Sequence, residues 1–274
     1  MAGMARAGTR FEGSCIVITG ASEGIGRALA LSLAPERAQL VLAARNGERL
    51  ATLADECRAL GAAAHTRVAD VTDRAACEAL VAFAVERCGR LDVLVCNAGR
   101  TMWSRFDALA DLGIFEQLMR LNFHSNVWLT AAALPHLRRA RGLIVAVASV
   151  AGLTGVPERT AYAASKHAVV GFYESLRIEI AADGVDVTIV APDFVLSEIH
   201  ERAAGPDGKP LGRNPLQVGR IMTAEECARR MHRAMARRDR LLVTSLRGRA
   251  GRALKLFAPR LIDRIALRAI RERR

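Results

Sequence analysis

Residues 14–34 read SCIVITGASEGIGRALALSLA. The first six form a short β-branched apolar run, residues 20–26 a glycine-rich turn, and residues 27–34 a helical pattern. A strand, a glycine turn and a helix N-terminus in direct succession make an anion site. Glycines let the backbone approach a pyrophosphate, and the free N–H groups and the helix dipole favour its charge. A turn that serves the fold and binds nothing is the alternative. The spacing is TGxxxGxG, with Thr19, Gly20, Gly24 and Gly26 framing Ser22 and Ile25, and not the GxGxxG of other dinucleotide folds.

The same alternation continues downstream. Pro35 stops the first helix, and residues 39–44 (QLVLAA) read as a second strand with Arg45 at its end. In dinucleotide folds an acid about 20 residues past the glycines holds the adenosine ribose 2′-hydroxyl, whereas an arginine accommodates a 2′-phosphate. Ala44 followed by Arg45 therefore favours NADP(H) over NAD(H), unless Arg45 is merely solvated. A helical run, 46–60, leads to a third strand at 64–69 that ends in Asp70-Val71. The acid there either hydrogen-bonds an adenine amine or caps the helix that begins after Thr72 and Asp73, and both can hold together. Residues 91–96 (LDVLVC) are a fourth strand closing in Asn97-Ala98-Gly99, 143–148 a fifth delivering Ser149, 185–191 a sixth before Pro192, and 241–244 a seventh. Between them lie a long amphipathic helix, 114–139, with Asn122 in its interior where helix propensity gives no reason for it, and a second helix at 160–182. Near-continuous apolar strands belong in a parallel sheet, with ligands outside their carboxyl ends. The pattern predicts an α/β fold: a Rossmann-type doubly wound parallel sheet of about seven strands with right-handed crossovers. It occupies a single domain, residues 12–245, followed by a C-terminal basic helical extension at 246–274.

Tyr162 and Lys166 are four residues apart, which stacks them on one helix face about 5–6 Å apart at Cβ. A phenol with an unperturbed pKa of about 10 is a poor base unless a cation stabilises its phenolate, and a lysine one turn away is such a cation. The pair can also deliver a proton to the alkoxide that forms when a carbonyl is reduced. Alone, the spacing is equally that of a solvated helix face.

At 274 residues and 51% apolar content the chain is globular and large enough for a sizeable core. The longest nearly uncharged run, 142–157, is too short to span a bilayer. The first 13 residues carry two arginines and no apolar stretch of signal-peptide length, so a soluble, cytoplasmic protein is expected. Six cysteines form no CxxC and no metal-like cluster with the histidines, so no metal is expected. The net charge of +12 is local: residues 229–274 hold 16 Lys/Arg against 3 Asp/Glu, while residues 1–228 hold 24 against 25. A basic tail is a partner signal for that tail and not for the main domain. Nucleic acid is disfavoured because the tail has no aromatics interleaved for stacking beyond Phe257.

The glycine turn, Asp70-Val71, Asn97-Ala98-Gly99, Asn122, Ser149 and the Tyr162 to Lys166 segment, in this order and at these separations, closely resemble the classical short-chain dehydrogenase/reductase family over about residues 12–195. The resemblance implies hydride transfer between a nicotinamide and a carbonyl carbon. It implies Tyr162 as general acid/base, Lys166 lowering its pKa and binding the nicotinamide ribose, Ser149 bonding the substrate oxygen, and Asn122 holding a water that relays protons from Lys166. Asn97 would brace the cofactor loop, and the cofactor contacts would fall on Thr19, Gly20, Ser22, Gly24, Ile25, Gly26, Arg45, Asp70, Val71, Asn97, Ala98, Gly99, Tyr162, Lys166 and Val195. One departure stands after the sixth strand: the family's Pro-Gly is here Pro192-Asp193, with Ser197 for a common threonine. Asp193 is expected either to shift that loop or to set a carboxylate near the carboxamide.

Residues 200–220 are rich in Gly, Pro and polar residues and read as a mobile lid within a span of about 193–220, or else as a surface insertion. Thr223 and Glu226 then form a capping box. Residues 260–274 place Leu261/Ile262, Ile265/Ala266 and Ala269/Ile270 on one stripe among arginines. Such a helix suits an anionic membrane surface, and it can equally pack on its own domain or a sister subunit, as in a homodimer or homotetramer. Tail and loop are loosely similar to the branch that reduces lipid-like ketones, including acyl- or alkyl-dihydroxyacetone phosphate reductases. The expected function is interconversion of a hydrophobic ketone or aldehyde and its alcohol with NADP(H). A binding or regulatory protein of the same fold, recruited to membrane by its tail, is the other reading.

Overall fold

The computed structural model describes residues 10–213 and 221–271. Seven strands, β1 (Cys15–Thr19), β2 (Gln39–Ala44), β3 (Ala63–Val68), β4 (Val93–Cys96), β5 (Leu143–Val147), β6 (Asp186–Ala191) and β7 (Leu241–Val243), form one sheet in the order β3-β2-β1-β4-β5-β6-β7. Every neighbouring pair is parallel. The doubly wound sheet predicted from the sequence is therefore the one observed. Its order reverses between β1 and β4, and at that switch point the crossovers diverge and leave a crevice at the strand carboxyl ends.

The helices are α1 (Gly24–Leu33), α2 (Gly47–Ala59), α3 (Arg74–Cys88), α4 (Gly113–Met119), α5 (Ser125–Ala140), α6 (Thr160–Glu179), α7 (Ala224–Arg237), α8 (Leu246–Phe257) and α9 (Pro259–Arg271). Successive strand residues point to opposite faces, so β1 feeds two cores. Ile16 and Ile18 pack with Leu29 and Leu33 of α1, Leu50 and Leu53 of α2, and Met231 and Met235 of α7. Cys15 and Val17 pack with Leu80 of α3, Leu137 of α5, and Val169 and Tyr173 of α6. Each such fully buried side chain contributes about 1.5–3 kcal/mol through removal from water. A smaller cluster of Met102, Ile114, Leu118 and Tyr162 lies under the site.

Four expectations change. The helix expected over 114–139 is divided by a π-helical turn, Arg120–His124, with Asn122 fully buried inside it. The wider turn loosens the backbone ladder where a polar side chain must turn inward, a device common at functional sites. Asp73, not Asp70, caps α3, accepting from the amides of Ala75 and Ala76, while Asp70 accepts from the Thr72 amide and hydroxyl. Thr223 does cap α7 through the Glu226 amide, but the Glu226 carboxylate takes Arg230 at 2.6 Å in place of the reciprocal arm. Finally, the expected lid is docked over its described part. Ala204 exchanges hydrogen bonds with Thr101 and Trp103, Pro206 O accepts from Ala110, and Gly205 to Lys209 closes a tight turn. The Gly-Pro-Asp-Gly signal made that turn rather than a slack loop. Residues 214–220 of the expected lid lie outside the described residues.

The extension is two helices. Ser245 caps α8 by accepting from the Gly248 amide, and Gly248 lies so near Val150 and Val243 that a Cβ there would meet them at 2.8 and 2.9 Å. Lys255 donates to Leu153 O. α8 thereby packs on the domain, with Leu246, Leu256 and Phe257 and, on α9, Leu261, Ile265 and Leu267 left exposed.

Candidate active site

A cavity of about 790 Å³ runs from the glycine turn along the strand ends to α9. At one end, Gly20 and Gly24 adopt φ of +62° and +54°, which L side chains rarely take. A Cβ on Gly26 would lie 2.4 Å from Gly20 O, so only glycine lets α1 start this close to the turn. Glu23, at the N-cap, makes no side-chain cap, and the first-turn residues Gly24 and Ile25 border the cavity. Thr19 Oγ1 donates to Val95 O and accepts from the amides of Asn97 and Ala98, while Asn97 Nδ2 donates to the carbonyls of Thr19 and Gly20. The turn is thus clamped in shape, with the Ala21 amide tied to Ala43 O, and the residues that border the cavity fit a dinucleotide pyrophosphate.

Of the expected contacts, Gly20, Ser22, Gly24, Ile25, Arg45, Asp70, Val71, Asn97, Ala98, Gly99, Ser149, Tyr162, Lys166 and Val195 all line the cavity. Thr19, Gly26 and Asn122 do not border it. Thr19 and Gly26 shape the turn from behind. Asn122 Oδ1 accepts from the Arg100 amide, and its Nδ2 donates to Arg100 O and Ser165 Oγ, while Ser165 Oγ donates to Tyr162 O. Asn122 thus fastens the segment after β4 to α6. Arg45 is exposed at the end of β2 and its charge reaches Asp70.

Ser149 stands just past β5, and Tyr162 and Lys166 project from the first turns of α6 into the same floor. Burial raises the Tyr162 phenol above its usual range, opposed by a hydrogen bond with Ser149 and by the nearby charge of Arg159. Burial pushes the Lys166 ammonium down to about 8. Its Nζ donates to Val147 O at 2.8 Å and sits 5.9 Å from the Tyr162 ring centroid. A Cβ on Gly99 would fall 3.0 Å from Asn122 Oδ1 and 3.5 Å from Lys166 Nζ, so Gly99 is what lets these groups converge.

Asp193 borders the cavity. Its carboxylate accepts from Ser245 Oγ at 2.7 Å and pairs with Arg247 at 2.7 Å. Burial works to raise its pKa, but Arg247, Ser245 and the Phe194 amide together hold it below the ordinary carboxylate range. It ties the loop after β6 to α8 at the edge of the cavity. That loop packs directly on the glycine turn, Ser197 Cβ lying 3.3 Å from where a Gly24 Cβ would be.

Sequence reasoning missed several cavity residues. Arg159, 5% exposed, stacks at 4.1 Å on the Trp103 ring and bonds Thr101 Oγ1. It is the N-cap residue of α6, three residues before Tyr162, with a non-helical backbone. His200 is also 5% exposed, and its Nδ1 has no hydrogen-bond partner among the described residues. Burial lowers its pKa to about 4, with Arg159 adding to the effect. Ile262, Ile265 and Ala266 of α9 wall the far end. Over the glycine turn, Arg49 and Arg202 both pair with Glu23, at 2.8 and 2.5 Å, and with Glu198.

A switch-point crevice with an open glycine turn at one end and Ser, Tyr and Lys converging at the other defines a nicotinamide-dependent oxidoreductase. Residues 14–206 match the family model described as short chain dehydrogenase, and the chain belongs to that family. It is 40% identical over 221 residues to "11-beta-hydroxysteroid dehydrogenase-like 4A" of Arabidopsis thaliana, covering 80% of this chain and 72% of that one. To "11-beta-hydroxysteroid dehydrogenase" of Pinus massoniana it is 36% identical over 263 residues, covering 93% and 74%. Among solved structures it is similar to a short chain dehydrogenase/reductase from Burkholderia phymatum in complex with NAD, with TM-score 0.80, 28% identity and coverage of 92% and 96%. It also resembles an alcohol dehydrogenase from Thermococcus sibiricus complexed with 5-hydroxy-NADP, with TM-score 0.72, 26% identity and coverage of 85% and 95%.

Proposed function

We propose that this oxidoreductase uses NADP(H) to interconvert a hydrophobic ketone or aldehyde and its alcohol, with Tyr162 as the proton donor and acceptor. The observation that carries the reading is the Tyr162 phenol, buried at the cavity floor, bonded to Ser149 and one helical turn from Lys166. A bound nicotinamide supplies or takes the hydride. Ser149 holds the substrate oxygen beside the phenol, Tyr162 moves the proton at that oxygen, and the Lys166 cation lowers the cost of the phenolate. Asn122 acts through Arg100 and Ser165, keeping the floor in register.

The NADP(H) preference rests on Arg45 at the cavity rim and on the lack of an acid at the end of β2. The substrate class rests on the apolar wall from α9 and accords with the hydroxysteroid dehydrogenase relatives. We take residues 12–245 as the catalytic domain, including a substrate loop over about 193–220, and residues 246–274 as an extension that walls the cavity. The apolar residues exposed on α8 and α9, set among Arg252, Lys255, Arg260, Arg264 and Arg268, support peripheral contact with an anionic membrane. Ile178, exposed on α6, supports self-association of that face into a homodimer or homotetramer. No helix among the described residues is long and apolar enough to cross a membrane.

The test is NADPH oxidation by purified protein against ketosteroids, retinal, long-chain ketones and acyl-dihydroxyacetone phosphate, repeated with Tyr162→Phe. Turnover in the variant should fall below about a tenth of wild type, with cofactor affinity nearly unchanged, because only the proton donor is lost. A Tyr162→Phe enzyme that keeps more than that rules out the assigned acid/base.

A further inference from the structure

Two cations flank Tyr162. Lys166 Nζ and the Arg159 guanidinium carbon each lie 5.9 Å from its ring centroid, Lys166 from one turn further along α6 and Arg159 from the N-cap. In sign their effects on a phenolate are alike. Their persistence differs: the buried ammonium, drawn down to about 8, loses its charge in the alkaline range, whereas a guanidinium keeps its own. Arg159 is held for that position. Thr101 Oγ1 accepts from it, and the rings of Trp103 and Phe194 lie 4.1 and 5.2 Å away. A planar, weakly hydrated cation tolerates such burial where an ammonium does not.

The other groups around the phenol offer no rival. Ser149, from the end of β5, contributes a hydrogen bond. Glu158, beside Arg159, accepts from Trp103 Nε1 at 3.0 Å. Asp193, from the loop after β6, is paired with Arg247. His200, from the same loop, is kept neutral by burial and by Arg159 itself.

We propose that Arg159 is a positioning residue for proton transfer, a permanent second cation, caged by Trp103 and Phe194, that stabilises the Tyr162 phenolate when Lys166 is neutral. The proposal rests on the reading of Tyr162 as acid/base. Its consequence is that the tyrosine stays usable in the alkaline range, where alcohol oxidation is favoured by the loss of a proton. The cage also gives the substrate loop a hold on the chemistry, because Trp103 donates to Ala204 O and Thr101 accepts from the Ala204 amide.

The chain has only two tyrosines, so tyrosine labelled with ¹³C at Cζ gives two resonances in the full-length protein. Tyr162→Phe identifies its signal, and Tyr173, fully buried, serves as a silent reference. Titrations between about pH 7 and 11, with and without NADP⁺, follow the phenolate in wild type, Arg159→Gln and Arg159→Lys. Arg159→Gln should move the Tyr162 ionisation up by about one pH unit, a tenfold fall in phenolate at a given pH, with Arg159→Lys failing to restore it because a buried ammonium gives up its charge in the alkaline range. Far-ultraviolet dichroism tracks folding through each titration. Superimposable wild-type and Arg159→Gln curves overturn the proposal, as does a wild-type Tyr162 that stays un-ionised alongside Tyr173. Inactivity of Tyr162→Phe reports on the acid/base reading separately, since the titration needs no turnover.

Discussion

His200 buries an imidazole whose Nδ1 has no partner among the described residues and whose pKa is lowered to about 4. A histidine with a lowered folded-state pKa binds its proton more readily when unfolded, so it costs stability progressively as pH falls from about 6.5 toward 4. The full shift corresponds to at most roughly 3 kcal/mol. Denaturant melts at a series of pH values should show a steeper acid-side loss in wild type than in His200→Gln, and parallel curves would remove His200 from the account. Arg45 makes a different single-residue test. Arg45→Ala with Ala44→Asp takes a cation from a 2′-phosphate and offers an acceptor to a ribose hydroxyl, so titration with both cofactors should show preference moving from NADP toward NAD. Unchanged preference, or a wild type that prefers NAD, sinks the assignment. The residues that line the strand ends were legible in the sequence because each stands within two residues of a strand's end: Arg45 after β2, Asp70 after β3, Asn97 after β4, Ser149 after β5. Arg159, Trp103 and His200 were not, because their places depend on how the 100–104 segment and the loop after β6 pack together, which no local pattern records.

At the scale of the elements, the strands were legible to within about two residues because a parallel sheet needs unbroken apolar runs. The π turn at Asn122 was not, since periodicity over 114–139 stays helical on either side of it. The junction of β6 and α8 turns on Asp193, whose partners Ser245 and Arg247 come from a distant segment that the sequence around Asp193 does not reveal. Asp193→Asn should therefore loosen α8 from the domain more than it alters cofactor binding. The loss is of the order of 1 kcal/mol, since Arg247 is mostly exposed and solvent screens its half of the pair. Because the carboxyl is held below its usual range, this contribution is present at neutral pH and disappears as pH falls through the folded-state value. Limited proteolysis within 245–260, compared at neutral and acid pH, measures it; equal rates in wild type and variant at neutral pH would exclude the tether.

At the scale of the whole molecule, eight of the 16 Lys/Arg of residues 229–274 sit on α8 and α9, which also border the cavity. The two readings of the tail weighed from the sequence are thus not exclusive: one side of α9 faces the cavity, and Leu261 and Leu267 remain exposed among arginines. Full-length protein is expected to sediment with anionic vesicles at low salt and to be released as salt rises, because exposed charges are screened beyond about 10 Å at 0.1 M. Truncation after residue 245 should abolish that binding and also raise KM for hydrophobic substrates by removing Ile262, Ile265 and Ala266. A truncated protein with unchanged KM would detach α9 from the cavity.

The bracket of Glu23, Arg49, Glu198 and Arg202 spans the glycine turn and the loop after β6, on the outer side of where a pyrophosphate would lie. We expect the latch to slow the exit of a dinucleotide, so that its parting paces each cycle whenever the chemistry is fast. Because all four latch residues are partly exposed, dissolved ions compete for them, and turnover should quicken with ionic strength even as the cofactor is held less tightly.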